Sequence, residues 1–254
     1  MNVFDWLETQ QQAVVFRKNL AGLTACSQQI QLASGEHFVL RQQNERATAF
    51  GINYAQETQI LRYLTHLPFT PKVYYHNENA SLLTWIEGNT PSYFSSSLLS
   101  KLALQLAELH LFPIDESLPK LDLAKRCQFL WDKLSEQQQA TLRFQPPFQT
   151  IQPFTLAICH HDLHLGNFLE KNDRLYLIDW EYSAVSDPAL EIAMFFSANE
   201  QILNEQQQAD FLHLYLQATK FDEKGFKQKM AEYHSAINQL NQLWFAILEP
   251  QKLF

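Results

Sequence analysis

The apolar residues change period part-way along the chain, and that change restricts the folds open to it. Ile30, Leu32, Phe38 and Leu40 alternate, and Ala33-Ser34-Gly35-Glu36 supplies a turn, so Gln28–Leu32 and His37–Gln42 are expected to form a β-hairpin. Lys72–His76 and Ser81–Trp85 repeat the pattern around Asn77-Glu78-Asn79. Beyond residue 98 the helical period takes over. Leu98–Leu111 is amphipathic, Leu121–Phe144 reads as a longer Gln-rich helical region, and further helices are expected near Ala189–Ala198, Gln206–Thr219 and Lys224–Leu248. Short strands are expected at Thr155–Cys159, Phe168–Glu170 and Leu175–Ile178. At the start, residues 3–17 read as a polar-faced helix, and Asn53–His66 as a helix stopped by Pro68. Gly88 and Pro91 break the pattern, which puts a lobe boundary at Glu87–Pro91. The expected class is α+β and bilobal, with a small β-rich N-lobe over 1–87 and a larger helical C-lobe over 88–254.

The balance of residue types narrows the setting. Hydrophobic residues at 46% and charged residues at 18% suit a soluble globular protein, and no apolar run is long enough to span a membrane. MNVFDWLETQQQ shows neither the basic region nor the apolar stretch of a secretory signal. Cys26, Cys127 and Cys159 are widely spaced and read as free thiols, so a cytoplasmic location is expected. A net charge of −8 argues against a nucleic-acid partner and is compatible with a cationic ligand.

Chemistry concentrates in Cys159-His160-His161-Asp162-Leu163-His164-Leu165-Gly166-Asn167. His160, Asp162 and His164 alternate as metal ligands on a strand can, but a zinc site also wants a ligand from elsewhere, and no HExxH follows. A nucleophile needs a GxSxG elbow or a cysteine with a base, and neither is evident. A plain polar loop with histidines bonded to the backbone stays open. The spacing favours another reading: Asp162 and Asn167 stand as in a kinase catalytic loop, where the Asp takes the hydroxyl proton and the Asn holds Mg²⁺. Downstream, the apolar strand Leu175–Ile178 ends in Asp179, a second oxygen ligand for Mg²⁺. Upstream, Arg41 on a strand can reach the α- and β-phosphates of ATP, Glu57 on the following helix can orient it, and Trp85-Ile86-Glu87-Gly88 leads into a hinge beside the adenine.

With these residues the chain resembles the aminoglycoside phosphotransferase and choline kinase superfamily, which has the protein-kinase-like fold. The resemblance rests on HHDLHLGNF (160–168) and LIDWEYSAVSDPALEIA (177–193), with weaker support from GLTACSQQIQL (22–32), FVLR (38–41) and LLTWIEG (82–88). The segment around Ile178-Asp179-Trp180-Glu181-Tyr182 is similar to bacterial thiamine kinases and choline kinases. The resemblance implies an ATP- and Mg²⁺-dependent kinase with Asp162 as base, Asn167 and Asp179 as metal ligands, Arg41 on the phosphates paired with Glu57, and His160 and Asp187 as structural supports.

Several positions depart from that pattern. There is no GxGxxG loop; Gly22 alone opens the hairpin, and Ala25 stands where relatives often carry Asn, so the phosphate grip is expected from the Leu23–Ser27 backbone and the hydroxyls of Thr24 or Ser27. Arg41 replaces the familiar Lys, and His161 replaces a frequent Gly. For the acceptor, Trp180, Tyr182, Tyr233, Trp244 and Phe245 offer aromatic faces and Glu181 a negative charge, an environment that suits a quaternary cation. Thiamine is the expected acceptor, then choline or ethanolamine, then an aminoglycoside; a catalytically silent nucleotide-binding module is the competing class.

Overall fold

The computed structural model describes residues 2–20 and 27–248. It opens with helix α1 (Val3–Thr9), whose first turn is capped by the Asn2 side chain, which accepts from the N–H groups of Phe4 and Asp5. Strand β1 (Val14–Asn19) follows. The helix expected over 3–17 therefore ends eight residues early, because Gln11 takes a left-handed conformation (φ 56°) and the Val-Val-Phe run extends beside the next strand. Strands β2 (Gln28–Leu32) and β3 (His37–Gln42) form the expected hairpin. Two helices come next, α2 (Glu45–Ala49), which the sequence did not signal, and α3 (Tyr54–Tyr63), with Asn44 and Asn53 as their caps. Strands β4 (Val73–His76) and β5 (Ala80–Thr84) complete a five-stranded antiparallel sheet in the order β1-β2-β3-β5-β4.

Helices dominate thereafter. Helix α4 (Ser96–His110) turns Leu98, Leu102, Leu106 and Leu109 inward, and burial of each leucine contributes about 1.5–3 kcal/mol. The region expected as one long helix is α5 (Leu123–Trp131) and α6 (Glu136–Gln139), since Ser135 and Gln138 cap a new helix start. Strands β6 (Ala157–Cys159) and β9 (Ala184–Ser186) pair, as do β7 (Phe168–Lys171) and β8 (Arg174–Leu177). Helices α7 (Pro188–Ala198), α8 (Glu205–Thr219) and α9 (Glu223–Leu248) close the chain. The antiparallel sheet followed by a helical part is the expected α+β arrangement of a protein-kinase-like fold.

The apolar interior is divided unevenly. One cluster joins α1 to the sheet through Val3, Leu7, Ile30, Leu40 and Leu82. The largest runs from Ile60 of α3 and Leu64 just after it through Leu102 and Leu106 of α4 to Phe195 and Tyr215. Among the described residues no helix is long and apolar enough to cross a membrane.

Candidate active site

Strand β6 is wholly buried and delivers the chain into the histidine-rich loop. There the backbone turns at His161, which holds a left-handed conformation (φ 65°). One carboxylate fixes that turn: Glu191 Oε1 accepts from the N–H groups of His160 (2.6 Å) and His161 (2.5 Å). Its other oxygen meets His110 Nε2 at 2.6 Å, and His110 Nδ1 lies 2.7 Å from the Tyr215 hydroxyl. Burial alone raises the Glu191 pKa, but the hydrogen bond and charge of His110, with the His161 backbone, bring it down to about 2.

Of the loop's histidines, His160 and His164 are spent locally, while neither buried ring nitrogen of His161 has a hydrogen-bond partner among the described residues. His160 Nδ1 accepts from the Asp162 N–H (3.2 Å), so its Nε2 carries the proton donated to Ile178 O (2.9 Å). His164 Nδ1 accepts from the Gly166 N–H at 3.1 Å, and its Nε2 stands 3.6 Å from Asp162 Oδ2. These contacts give His160 and His164 loop-shaping partners where a metal cage would need free ring nitrogens. The His161 ring is buried and held neutral, its pKa pushed down to about 4 by desolvation.

Asn167 donates to the Asp162 carbonyl and to Asp162 Oδ2, both at 2.8 Å. That fixes the carboxylate and leaves Oδ1 to meet a substrate. Strand β8 then runs to Asp179, also left-handed (φ 65°), and the Ile178 N–H bonds Asn167 O at 3.0 Å, which ties the two segments together. The amide N–H groups of Asn167 are committed, so its carbonyl oxygen remains for a cation; with the second oxygen of Asp179 it forms an all-oxygen donor set that fits Mg²⁺.

Arg41 is the electrostatic centre of the site. Its Nη2 lies 2.6 Å from Asp179 Oδ1 and 3.3 Å from Glu57 Oε1; its Nη1 lies 3.3 Å from Glu181 Oε2 and donates to Ser27 Oγ at 3.0 Å. Burial works against its charge, but Asp179, Glu57 and Glu181 outweigh it and keep the guanidinium ionised. The same crowding is unfavourable for the acids: burial pushes Glu57 up to about 7 against the pull of Arg41.

A cavity of about 1200 Å³ joins these groups. Its lining includes Val39, Arg41, Leu83, Trp85 and Ile86 from the sheet and its exit, Asp162, Asn167 and Asp179 from the loops, and Arg126, Phe129, Tyr182 and Trp244. Gly88, next to the hinge, lies so close to β7 that a Cβ there would stand 3.0 Å from Leu169 Cβ. Trp244 Nε1 donates to the Tyr182 hydroxyl (3.2 Å), and its ring packs on Phe50 at 5.3 Å.

The structure thus brings together Arg41, Glu57, Ser27, Asp162, Asn167, Asp179 and the Tyr182–Trp244 pair. Thr24, Ala25 and most of the Leu23–Ser27 backbone lie outside the described residues. Trp180 requires correction: it is fully buried, donates to Leu177 O at 2.9 Å and packs on His160, so it is a core residue and not part of an acceptor wall. The left-handed backbone at Asp179 and the turn closed by Ser183 N–H on Trp180 O explain this: Asp179 and Glu181 both reach Arg41 while the residue between them faces inward. Glu181 is likewise held by Arg41 and is no open counter-charge for a ligand. Tyr233 is buried with its hydroxyl on Asp187 Oδ2 (3.0 Å), and Asp187 also caps α7 and binds the Phe154 N–H. Phe245 is exposed at the cavity rim. Glu191, His110 and Arg126 were missed; each acts on residues distant in sequence, and the only local signal was Glu191 in the first turn of a Pro-initiated helix.

A model of the phosphotransferase enzyme family matches residues 27–227. Protein LicA homolog of Metamycoplasma hominis is 27% identical over 172 residues, covering 65% of this chain and 67% of its own length. Thiamine kinase of Salmonella newport is 29% identical over 94 residues, 37% of this chain and 32% of its own. The matched stretches thus span about two thirds of the first relative and a third of the second. Among solved structures, choline kinase LicA from Streptococcus pneumoniae superposes with a TM-score of 0.74 at 20% identity, over 99% of this chain and 91% of that one.

Proposed function

The chain belongs to the phosphotransferase enzyme family, and from that premise we propose that it transfers the γ-phosphoryl group of ATP to the hydroxyl of a small cationic alcohol. The observation that carries this reading is the single cavity in which Asp162, the Asn167–Asp179 oxygen pair and the Tyr182–Trp244 rings meet. Asp162 Oδ1 accepts the hydroxyl proton, with the carboxylate held in aim by Asn167 on Oδ2. Trp85 and Ile86 border the adenine, and Arg41 lies toward the phosphates with Ser27 beside it. Asn167 and Asp179 would hold Mg²⁺, which would supply charge neutralisation on the phosphates. The proposed division of labour follows the lobes, nucleotide over 1–87 and acceptor over 88–254.

Choline stands first among acceptors, because LicA of Streptococcus pneumoniae is a choline kinase and the LicA homolog matches 65% of the chain against 37% for the thiamine kinase. Thiamine, preferred on sequence, stays as the second reading on the strength of that shorter match. Both present a cation and a primary alcohol to the same rings. The test is ATP turnover against choline, thiamine, ethanolamine and neutral alcohols of matched size. Cationic alcohols are expected to give the higher kcat/KM; equal rates with neutral ones would defeat the cationic reading.

Two further results are expected. Trp244→Ala removes a ring from the acceptor end while leaving the hinge intact, so KM for the acceptor should rise by about 3- to 30-fold with KM for ATP nearly unchanged. Asp179→Asn keeps the shape of the metal donor set but removes its charge. Titration calorimetry should then show ATP binding that no longer strengthens on adding Mg²⁺, whereas the unaltered protein responds to Mg²⁺.

A further inference from the structure

Arg126 is a charged group in the cavity wall that the reaction above does not use. It projects from α5 and donates from Nη1 to Gly51 O (2.9 Å) and from Nη2 to Phe50 O (2.5 Å). Its Cζ lies 5.5 Å from the centre of the Tyr182 ring. The seat is shaped for it: Gly51 has a φ of 66°, and a Cβ there would stand 2.3 Å from Arg126 Nη1. The Tyr182 hydroxyl is at the same time engaged by Trp244. The aromatic wall next to Asp162 therefore already carries a cation of the chain's own. Neighbouring Lys125 has Asp122 at 3.1 Å, whereas the groups in contact with Arg126 are carbonyls and a ring, and the acid whose charge reaches it is Glu181.

Resting on the cationic-alcohol reading, we propose that Arg126 sets the charge selectivity of the acceptor end. Its guanidinium disfavours a second cation on the Tyr182 face and confines the acceptor's charge to the Trp244 side of the wall. Attraction of a cation to a ring and repulsion between like charges at a few ångströms in a partly desolvated cleft are of similar size, so the resident charge decides how much of the aromatic attraction a cationic ligand keeps.

The test compares a cation with its neutral isostere. Choline and 3,3-dimethylbutan-1-ol share a shape and differ in charge. Their Kd values are measured by tryptophan fluorescence for the unaltered protein, Arg126→Gln and Arg126→Lys. Arg126→Gln keeps a side-chain N–H for a loop carbonyl and removes the charge; Arg126→Met takes its place if melting curves show that Arg126→Gln is not folded. The ratio of Kd for the neutral alcohol to Kd for choline is expected to rise about tenfold in the uncharged variant and to stay within about twofold in Arg126→Lys. An unchanged or falling ratio in the uncharged variant overturns the proposal. So does an equal rise in Arg126→Lys, or choline failing to bind any form. Because the readout is binding, it stands apart from the reaction: no phosphoryl transfer to choline, thiamine or ethanolamine, with a shifted ratio, sinks the functional reading and leaves the role of Arg126 standing.

Discussion

Asp162→Asn is expected to lower kcat by at least about 10²-fold while leaving KM for ATP nearly unchanged. The substitution preserves size and a hydrogen-bond acceptor, so Asn167 can still hold the side chain and the loop keeps its shape. What it removes is the capacity to take a proton from the acceptor hydroxyl. Asp162 is partly exposed to the cavity and not committed to Arg41, which distinguishes it from Asp179, Glu57 and Glu181. Steady-state rates with ATP and choline read the effect, and near-normal turnover would remove Asp162 from the chemistry.

The largest stability effect is expected at a residue that touches no substrate. Glu191→Ala strips the N–H groups of His160 and His161 and the ring of His110 of their acceptor, all in a buried setting. Breaking a buried charged network of this kind costs about 3–5 kcal/mol, which for a chain of this size is a fall in Tm of roughly 10 °C. Activity should fall as well, because the left-handed turn before Asp162 loses its clamp. Glu191→Gln separates charge from geometry. In the folded protein the Glu191 carboxyl titrates at about 2, below the ordinary value of 4.5. Its contribution is therefore complete above about pH 4.5 and is lost as pH falls toward 2. Urea melts over that window should show the acid limb in the unaltered protein and lack it in Glu191→Gln; identical acid limbs would show that Glu191 is not the group responsible.

What the sequence made legible was what short range determines. The β2–β3 hairpin and helix α4 follow from period and turn chemistry, and Asp162, Asn167 and Asp179 from spacing along one loop and one strand. Strand β1 escaped because Gln10–Gln12 continues a helical reading and no glycine marks the turn at Gln11. Trp180 was misassigned because nearness in sequence to a metal ligand says nothing about which face a residue takes. The clamp and the acceptor wall are long-range: His110 meets Glu191 across 81 positions, and Arg126 meets Gly51 across 75. Neither residue has a local pattern that distinguishes it from an ordinary helix residue, so the fold itself is needed to bring such partners together.

The division of the apolar interior has a mechanical consequence. Helix α3 shares its cluster with α4 and α7 and also with Leu83 of β5, whereas Ile30, Phe38, Leu40 and Leu82 of the sheet share one with α1. Leu83 therefore ties the sheet to the body that holds α3, and a shift of the sheet would have to carry or break that contact. Arg41 stands on β3, Glu57 on α3, and Asp179 and Glu181 on the segment after β8. The guanidinium links all three elements, so a shift of the sheet would strain its ion pairs at once.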